Sequence, residues 1–158
     1  MRIKYLKLLN RNPIVRAQGS EYFLRNEPLS NAEIKSLESS YNNGRDFPAS
    51  LKELLSIAGE SCYVLEYGAF DSLEDMQQEA RSWLIDDDRN LSITRPFFII
   101  DVYNYGEKFL FVYLDEDGDP FVYQALLDKD PWIHELGSTL SEYIESSVKI
   151  VLKGYNPF

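Results

Sequence analysis

The stretch that most constrains the fold lies between Phe97 and Tyr123, because it concentrates β-branched and aromatic residues around two turn signals. Three apolar runs follow one another in it, at 97–103, 109–114 and 121–123. Two links short enough for hairpins join them, at 104–108 and 115–120. In the second link Gly118 can adopt the positive φ that a tight turn requires. The pattern predicts a three-stranded antiparallel meander over about 97–124. Because the runs do not alternate with polar residues, we expect burial on both faces, with helices over one of them.

Capping signals around the meander predict helices. Ser30 and Glu33 form a capping box, and Asn43-Gly44 ends the helix that follows. Pro48 opens a second helix that stops at Gly59, because proline is tolerated in the first turn and glycine is common after the last.

Two later helices have similar signals. Ser72-Leu73-Glu74-Asp75 caps one that runs into Asp86-Asp87-Asp88, so three acids would oppose the macrodipole at its C-terminus. Thr139-Leu140-Ser141-Glu142 caps the last helix, which Gly154 stops.

The remaining segments have weaker patterns. We expect a short helix in residues 1–11, a short edge strand at Tyr22–Leu24, a strand at Cys62–Tyr67, and a turn or short helix beginning at Pro131. No repeat or linker divides the chain. The prediction is therefore one α+β domain over residues 1–158, with an antiparallel sheet covered by helices.

The charge of the chain is large and unevenly spread. The formal net charge is −10, yet residues 1–25 carry six basic side chains and one acidic, which leaves −15 for the rest. An anionic body repels nucleic acid and anionic lipid and attracts basic proteins, so we expect neither nucleic acid nor membrane as a partner. Solubility alone is the simpler explanation of such a surface. The longest apolar run, Phe109–Leu114, is far shorter than a membrane span, and a single cysteine favours a reducing compartment, so we expect a cytoplasmic protein.

Few residues are suited to catalysis or metal binding. Cys62 and His134 are the one thiol and the one imidazole, and they lie in no nucleophile signature, so packing is the simpler role for both. The acidic run that begins at Asp115 lacks the spacing of a calcium loop, since its sixth residue is Pro120 and its twelfth is Leu126. Neither a Walker loop nor a dinucleotide fingerprint is present. We therefore assign no cofactor, no metal and no catalytic residue.

Five segments follow one another in a recognisable order: Ser30–Glu38, Phe47–Leu55, Phe97–Asp115, Pro120–Tyr123 and Leu140–Ile144. Together they resemble the SUKH superfamily over residues 30–146. That superfamily contains the fungal cell-wall-synthesis regulator and many bacterial immunity proteins. The resemblance implies an α+β domain that binds a partner protein and supplies no catalytic residues.

By this resemblance we expect a cytoplasmic immunity protein, monomeric or weakly homodimeric, that binds and neutralises a cognate polymorphic toxin. The acidity suits a basic toxin such as a nuclease, because an anionic surface can occupy a phosphate-binding cleft. The expected partner-binding residues are two acidic clusters and a tyrosine, since Tyr is a favoured binding anchor: Asp86, Asp87, Asp88, Asp115, Glu116, Asp117, Asp119 and Tyr105.

Two alternatives stay open. One is a regulatory scaffold that binds proteins without a toxin partner. The other is a metal-dependent hydrolase built from carboxylates. A divalent ion held by two or more of the acids favours the enzyme, whereas a dry, convex acidic face favours the binding protein.

Overall fold

A four-stranded antiparallel sheet is the centre of the fold in the computed structural model, which describes residues 1–17, 19 and 21–158. The helices in chain order are α1 Lys7–Arg11, α2 Asn31–Tyr41, α3 Ala49–Ala58, α4 Leu73–Ser82, α5 Asn104–Glu107 and α6 Leu140–Leu152. The strands are β1 Ile14–Arg16, β2 Phe23–Arg25, β3 Phe97–Tyr103, β4 Lys108–Tyr113, β5 Phe121–Leu126 and β6 Ile133–Thr139. Strands β3 to β6 are neighbours in sequence order, and β1 and β2 form a separate antiparallel pair. The fold is α+β, as predicted.

The predicted meander is confirmed as β3, β4 and β5. Strands β3 and β4 are buried on both faces, whereas β5 is partly exposed. All of β3 except Tyr103 and all of β4 except Lys108 is buried. The ring of Phe111 packs against four other aromatic rings, those of Phe97, Phe109, Tyr113 and Tyr123. Neighbouring strand residues point to opposite faces, and Phe98 accordingly meets Tyr41 and Phe47 on the other side.

Helix α4 lies along the outer edge of β3. The Gln77 side chain accepts the Ile99 N–H at 2.9 Å and donates to the Ile99 carbonyl at 2.5 Å, so it replaces the missing neighbour strand. Gln77 is fully buried. Satisfying an edge in this way prevents pairing with another chain and fixes α4 against the sheet.

The predicted caps are confirmed. Ser30 Oγ accepts the Glu33 N–H at 3.2 Å, and Glu33 Oε2 accepts the Ser30 N–H at 2.7 Å, which completes the capping box. In two later caps the side-chain hydroxyl likewise accepts the backbone N–H three residues on: Ser72 from Asp75 at 3.0 Å and Thr139 from Glu142 at 3.4 Å. These signals work because each bond joins residues three apart.

Gly59 follows α3 as predicted, but for a different reason. Its φ is −73°, which is helical rather than left-handed. A Cβ atom there would lie 2.6 Å from the Leu55 carbonyl oxygen and 2.7 Å from Leu29 Cγ. The position needs glycine for space and not for conformation.

The predicted strand at Cys62–Tyr67 is wrong. The segment is buried but irregular, and a 3₁₀ turn begins at Tyr67. Its backbone is satisfied by side chains, because Asn26 Oδ1 accepts the Tyr63 N–H and Asp101 Oδ1 accepts the Glu66 N–H. An apolar run therefore predicted burial here without an extended backbone.

The prediction of a turn or short helix from Pro131 is also wrong, because Ile133–Thr139 is strand β6. It pairs with β5 through Ala125 and Ile133 at one end and Phe121 and Thr139 at the other. Strand β6 is an edge strand and partly exposed, so it lacks the apolar run that marks the inner strands.

The N-terminal segment is less helical than expected, since α1 covers Lys7–Arg11 alone. Before it, one buried carboxylate oxygen, Glu53 Oε1, accepts the backbone N–H groups of Lys4, Tyr5 and Leu6. The carboxylate of Glu145 accepts two more, from Leu8 and Leu9. The predicted edge strand at Tyr22–Leu24 is confirmed as β2, shifted by one residue.

Candidate protein-binding surface at one end of the sheet

The predicted binding residues lie at opposite ends of the central sheet. Strand β4 runs from Lys108 to Tyr113, so Tyr105 precedes one end and Gly118 follows the other. We call these the Tyr105 end and the Gly118 end. At about 3.3 Å per residue the strand separates them by roughly 20 Å.

Asp86, Asp87 and Asp88 lie at the Tyr105 end. Their neighbour Arg89 donates from Nε and Nη2 to Asp128 Oδ1 at 3.1 and 3.0 Å, and Asp128 follows the end of β5. The structure therefore brings Tyr105 together with Asp86–Asp88 and places Asp115–Asp119 elsewhere.

At the Gly118 end, Arg95 forms ion pairs with the first two acids of the loop, Asp115 and Glu116. Its guanidinium makes two bonds to Asp115, Nη2 to Oδ1 at 2.6 Å and Nε to Oδ2 at 3.0 Å. It also lies 3.5 Å from Glu116 and stacks over the Tyr113 ring. The hydrogen bond from Arg95 lowers the pKa of Asp115.

The other acids of this loop tie it to neighbouring elements. Glu116 accepts the Phe121 N–H at 3.0 Å. Asp119 accepts the Ser141 N–H at 3.0 Å and the Ser141 hydroxyl at 2.5 Å, at the start of α6. Among the residues described, Asp117 is the one acid of this loop that makes neither a hydrogen bond nor an ion pair. The carboxylates of Asp115, Glu116 and Asp119 thus bond to groups of the chain itself, whereas Asp117 is exposed.

Asp86–Asp88 do not lie at a helix C-terminus, so that prediction is wrong. Helix α4 ends at Ser82, and the acids form a separate 3₁₀ turn. Asp87 and Asp88 have φ values of 54° and 60°, a left-handed conformation that Asp tolerates better than most residues. The macrodipole acts mainly within the last helical turn, so it opposes these acids less than expected.

All three acids of this turn are exposed. Arg89 fixes the turn from behind, since it donates to the Trp83 carbonyl at 3.1 Å as well as to Asp128. In the described part of the chain Asp86, Asp87 and Asp88 form no ion pair. Their charges therefore face solvent.

Tyr105 stands beside this turn with 68% of its surface exposed. Its hydroxyl donates to Glu79, and its ring meets the edge of Trp83 at a centroid distance of 5.0 Å. A second ring, Phe70, lies nearly parallel to it at 6.4 Å. The bond to Glu79 and the nearby charge of Asp86 raise the pKa of the Tyr105 hydroxyl.

An acidic groove with a volume of about 440 Å³ opens next to Tyr105. Asp71, Asp75 and Glu79 line it, together with the rings of Phe70 and Tyr105. Sequence reasoning missed these three acids and Phe70. The spacing of Asp75 and Glu79 was the available signal for two of them, because residues four apart lie on one face of a helix.

We define the acidic edge as this groove and the adjoining turn: Phe70, Asp71, Asp75, Glu79, Asp86, Asp87, Asp88 and Tyr105. Exposed carboxylates beside aromatic rings bind Lys and Arg side chains through ion pairs and cation–π contacts. Within the described ranges, no group of three or more His, Cys, Asp or Glu residues is arranged to hold a metal ion. The arrangement is suited to contact with a cationic protein surface.

Cys62 and His134 do not form a catalytic pair. Cys62 is 5% exposed, and burial raises the pKa of its thiol to about 12, so the thiolate needed for attack is scarce at neutral pH. His134 lies on β6, where a ring nitrogen meets the Pro131 carbonyl at 2.8 Å. No hydrogen bond joins the two side chains among the described residues.

One further acid, Asp101, is buried in β3. Its Oδ1 accepts the N–H groups of Glu66 and Val102 at 2.8 and 3.0 Å. Its Oδ2 has no partner within the described residues. Burial raises the pKa of Asp101 to about 7.

No family model, curated protein or solved structure matches this chain. The resemblance of residues 30–146 to the SUKH superfamily therefore stays a prediction. In the described ranges, none of the helices has the length and apolar character that crossing a bilayer requires.

Proposed function

We propose that this chain is an immunity protein whose acidic edge binds and neutralises a basic toxin. The observation that carries the proposal is the acidic edge itself, where carboxylates with no ion pair among the described residues surround an exposed tyrosine. The choice of a toxin as the partner rests on the resemblance to the SUKH superfamily.

The geometry supports binding by a rigid surface. Helix α4 carries Asp75 and Glu79, and Gln77 on the same helix is bonded to β3. The acids are therefore positioned before the partner arrives, which reduces the entropy lost on binding. Tyr105 offers a large, partly fixed ring of the kind that dominates interface energies.

The charge supports fast capture of a cationic partner. Exposed acids at an interface rim raise the association rate by attraction over a distance of about one Debye length, roughly 8–10 Å at physiological salt. A nuclease is the favoured toxin class, because its phosphate-binding cleft is cationic and the acidic edge would compete with nucleic acid for it.

The test is the binding kinetics with the protein encoded by the adjacent gene, at two salt concentrations. The variant replaces Asp86, Asp87 and Asp88 with Asn, which tolerates the positive φ at 87 and 88 and so leaves folding intact. We expect slower association at low salt and a smaller dependence on ionic strength. Tyr105→Ala should raise the dissociation rate by roughly 30-fold if the ring is a central anchor.

A matched control removes the same charge elsewhere, with Glu27→Gln, Glu60→Gln and Glu135→Gln, all exposed. This control should keep nearly wild-type kinetics and protect cells that express the toxin. Equal effects in both triple variants would show that net charge acts without a defined surface. Absence of binding to the adjacent gene product would favour a regulatory scaffold instead.

A further inference from the structure

The paired strands β1 and β2 leave one backbone edge open. The pairs Ala17 with Tyr22 and Pro13 with Asn26 are hydrogen-bonded, with N–H to carbonyl distances of 2.9 Å. Bonded and non-bonded pairs alternate in an antiparallel ladder, so Ile14 and Arg16 direct their N–H and C=O groups away from β2. No described residue bonds to these groups on the outer side.

A groove with a volume of about 710 Å³ runs beside this open edge, between β1 and the end of α6. Its apolar lining comes from Ile14, Val15, Val151 and Leu152. Val15 is buried, whereas Ile14 is 41% and Leu152 is 47% exposed. An extended segment laid along β1 would bury this apolar surface and satisfy the open backbone groups.

The charge around the groove is opposite to that of the acidic edge. Arg16 lies on β1 and lines the groove, and Lys153 adjoins Leu152 in its wall. Both are exposed, and neither forms an ion pair within the described chain. Glu21, the one acid in residues 1–25, also lines the groove, so these three side chains leave one net positive charge. The net positive charge of this surface favours an acidic partner over a second copy.

The alternation of β1 specifies the pattern of the incoming segment. Val15 points toward the core and Arg16 points outward, so a neighbouring strand would place apolar side chains inward and acidic ones outward. Strand addition of this kind takes affinity from main-chain bonds and specificity from alternate side chains.

We propose that β1 accepts, as a third strand, an extended segment of another protein in which apolar and acidic residues alternate. This surface is separate from the acidic edge, and the proposal does not depend on the toxin. A protein with both surfaces binds a cationic partner at one place and an anionic strand at another.

The probe is a synthetic heptapeptide of alternating glutamate and valine, titrated into the full ¹⁵N-labelled chain. We expect saturable amide shifts at 14–16 and 150–154 with a dissociation constant below about 1 mM. The same peptide with lysine in place of glutamate should not bind. A peptide N-methylated at alternate residues should also fail, because it lacks the N–H groups that pair with β1.

Arg16→Pro is the sharpest variant, because it removes one outward N–H and leaves the bonds to β2 in place. It should bind at least about tenfold more weakly than Arg16→Ala, which removes the charge alone. Arg45→Ala, an exposed arginine between α2 and α3, is the matched control and should bind like the wild type. Circular dichroism melting verifies that each variant folds, and the N-methylated peptide tests strand pairing without any variant.

Four results would overturn the proposal. The first is no saturable shift up to about 1 mM peptide, and the second is equal binding by Arg16→Pro and Arg16→Ala. The third is binding to phosphatidylserine vesicles that the peptide cannot displace, which would assign the surface to a membrane. The fourth is concentration-dependent dimerisation abolished by Arg16→Pro, which would assign it to a second copy.

Discussion

The two ends of the central sheet are both acidic, but their acids have different roles. At the Gly118 end, Asp115 and Asp119 bond to Arg95 and Ser141. At the Tyr105 end, Asp86–Asp88 face solvent and the chain provides them with no counter-charge among its described residues. The difference shows that a run of acids in a sequence does not reveal whether the fold uses it. Asp115 and Asp119 bond within the chain, whereas Asp86–Asp88 are exposed.

The largest expected effect is loss of the core that both ends share. Phe111 is fully buried among four other rings, so Phe111→Ala should lower the free energy of unfolding by about 3–5 kcal/mol. Phe121→Ala on β5 is the control, because Phe121 is 42% exposed. Urea denaturation measures both. A loss under about 1 kcal/mol for Phe111→Ala would mean that the meander is not the core.

The second prediction concerns the pH dependence of stability, which the buried Asp101 should dominate over exposed acids such as Asp117. Its pKa is about 7 in the folded protein, against an ordinary value of 3.8 for an aspartate, so the folded state holds its proton more tightly than the unfolded chain. The contribution of this group to stability is therefore fully present below about pH 4 and is lost as the pH rises to about 7, by up to roughly 4 kcal/mol. Asp101→Asn should remove this decline in unfolding free energy, measured by denaturation at several pH values. Asp117→Asn should leave it unchanged, and a decline that persists in Asp101→Asn would contradict the assignment.

The third prediction compares the ends directly. Asp119→Ala removes two hydrogen bonds to Ser141 and should destabilise the protein by about 1–3 kcal/mol. Asp86→Ala at the Tyr105 end should change the stability by less than about 0.5 kcal/mol. Equilibrium denaturation of the two variants at one pH is the measurement. Equal losses would mean that the two ends do not differ as described.

The smallest expected effect separates two glycines, one at each end. Gly106 and Gly118 both have positive φ, at 87° and 47° respectively. A Cβ atom added at Gly118 would lie 2.8 Å from the Tyr5 hydroxyl oxygen, whereas a Cβ atom added at Gly106 would meet no atom within 4 Å. Gly118→Ala should therefore lower the free energy of unfolding by about 1 kcal/mol more than Gly106→Ala does. Thermal melting of the two variants measures the difference. Added calcium should leave both melting temperatures unchanged, because three of the four loop acids, Asp115, Glu116 and Asp119, already have partners. An upward shift with calcium would show that the loop binds the metal.

Local signals made much of the fold predictable. The caps at Ser30, Ser72 and Thr139 depend on residues three positions away, so their meaning is contained in the sequence. The meander was predictable because hydrophobic runs and turn residues coincide.

The failures involve partners distant in sequence. Strand β6 forms because it pairs with the edge of β5. The residues of β6 themselves do not predict this pairing. The segment after Cys62 is irregular because Asn26 and Asp101 satisfy its backbone. Likewise, the exposure of Asp86 and the pairing of Asp115 with Arg95 depend on how distant segments meet. The candidate site was therefore predicted in part, and its groove acids on α4 were missed.

The bonds made by Glu53 and Glu145 also bear on how the chain folds as it is synthesised. Residues 4–9 are held by carboxylates that are synthesised after them, since Leu8 and Glu145 are 137 positions apart. Even the nearer of the two carboxylates, that of Glu53, lies 47 positions after Leu6, whose N–H it accepts. The amides of Leu8 and Leu9 thus remain unprotected until Glu145 has been synthesised. Nascent chains should gain protease resistance late and in one step, because the last helix secures the first.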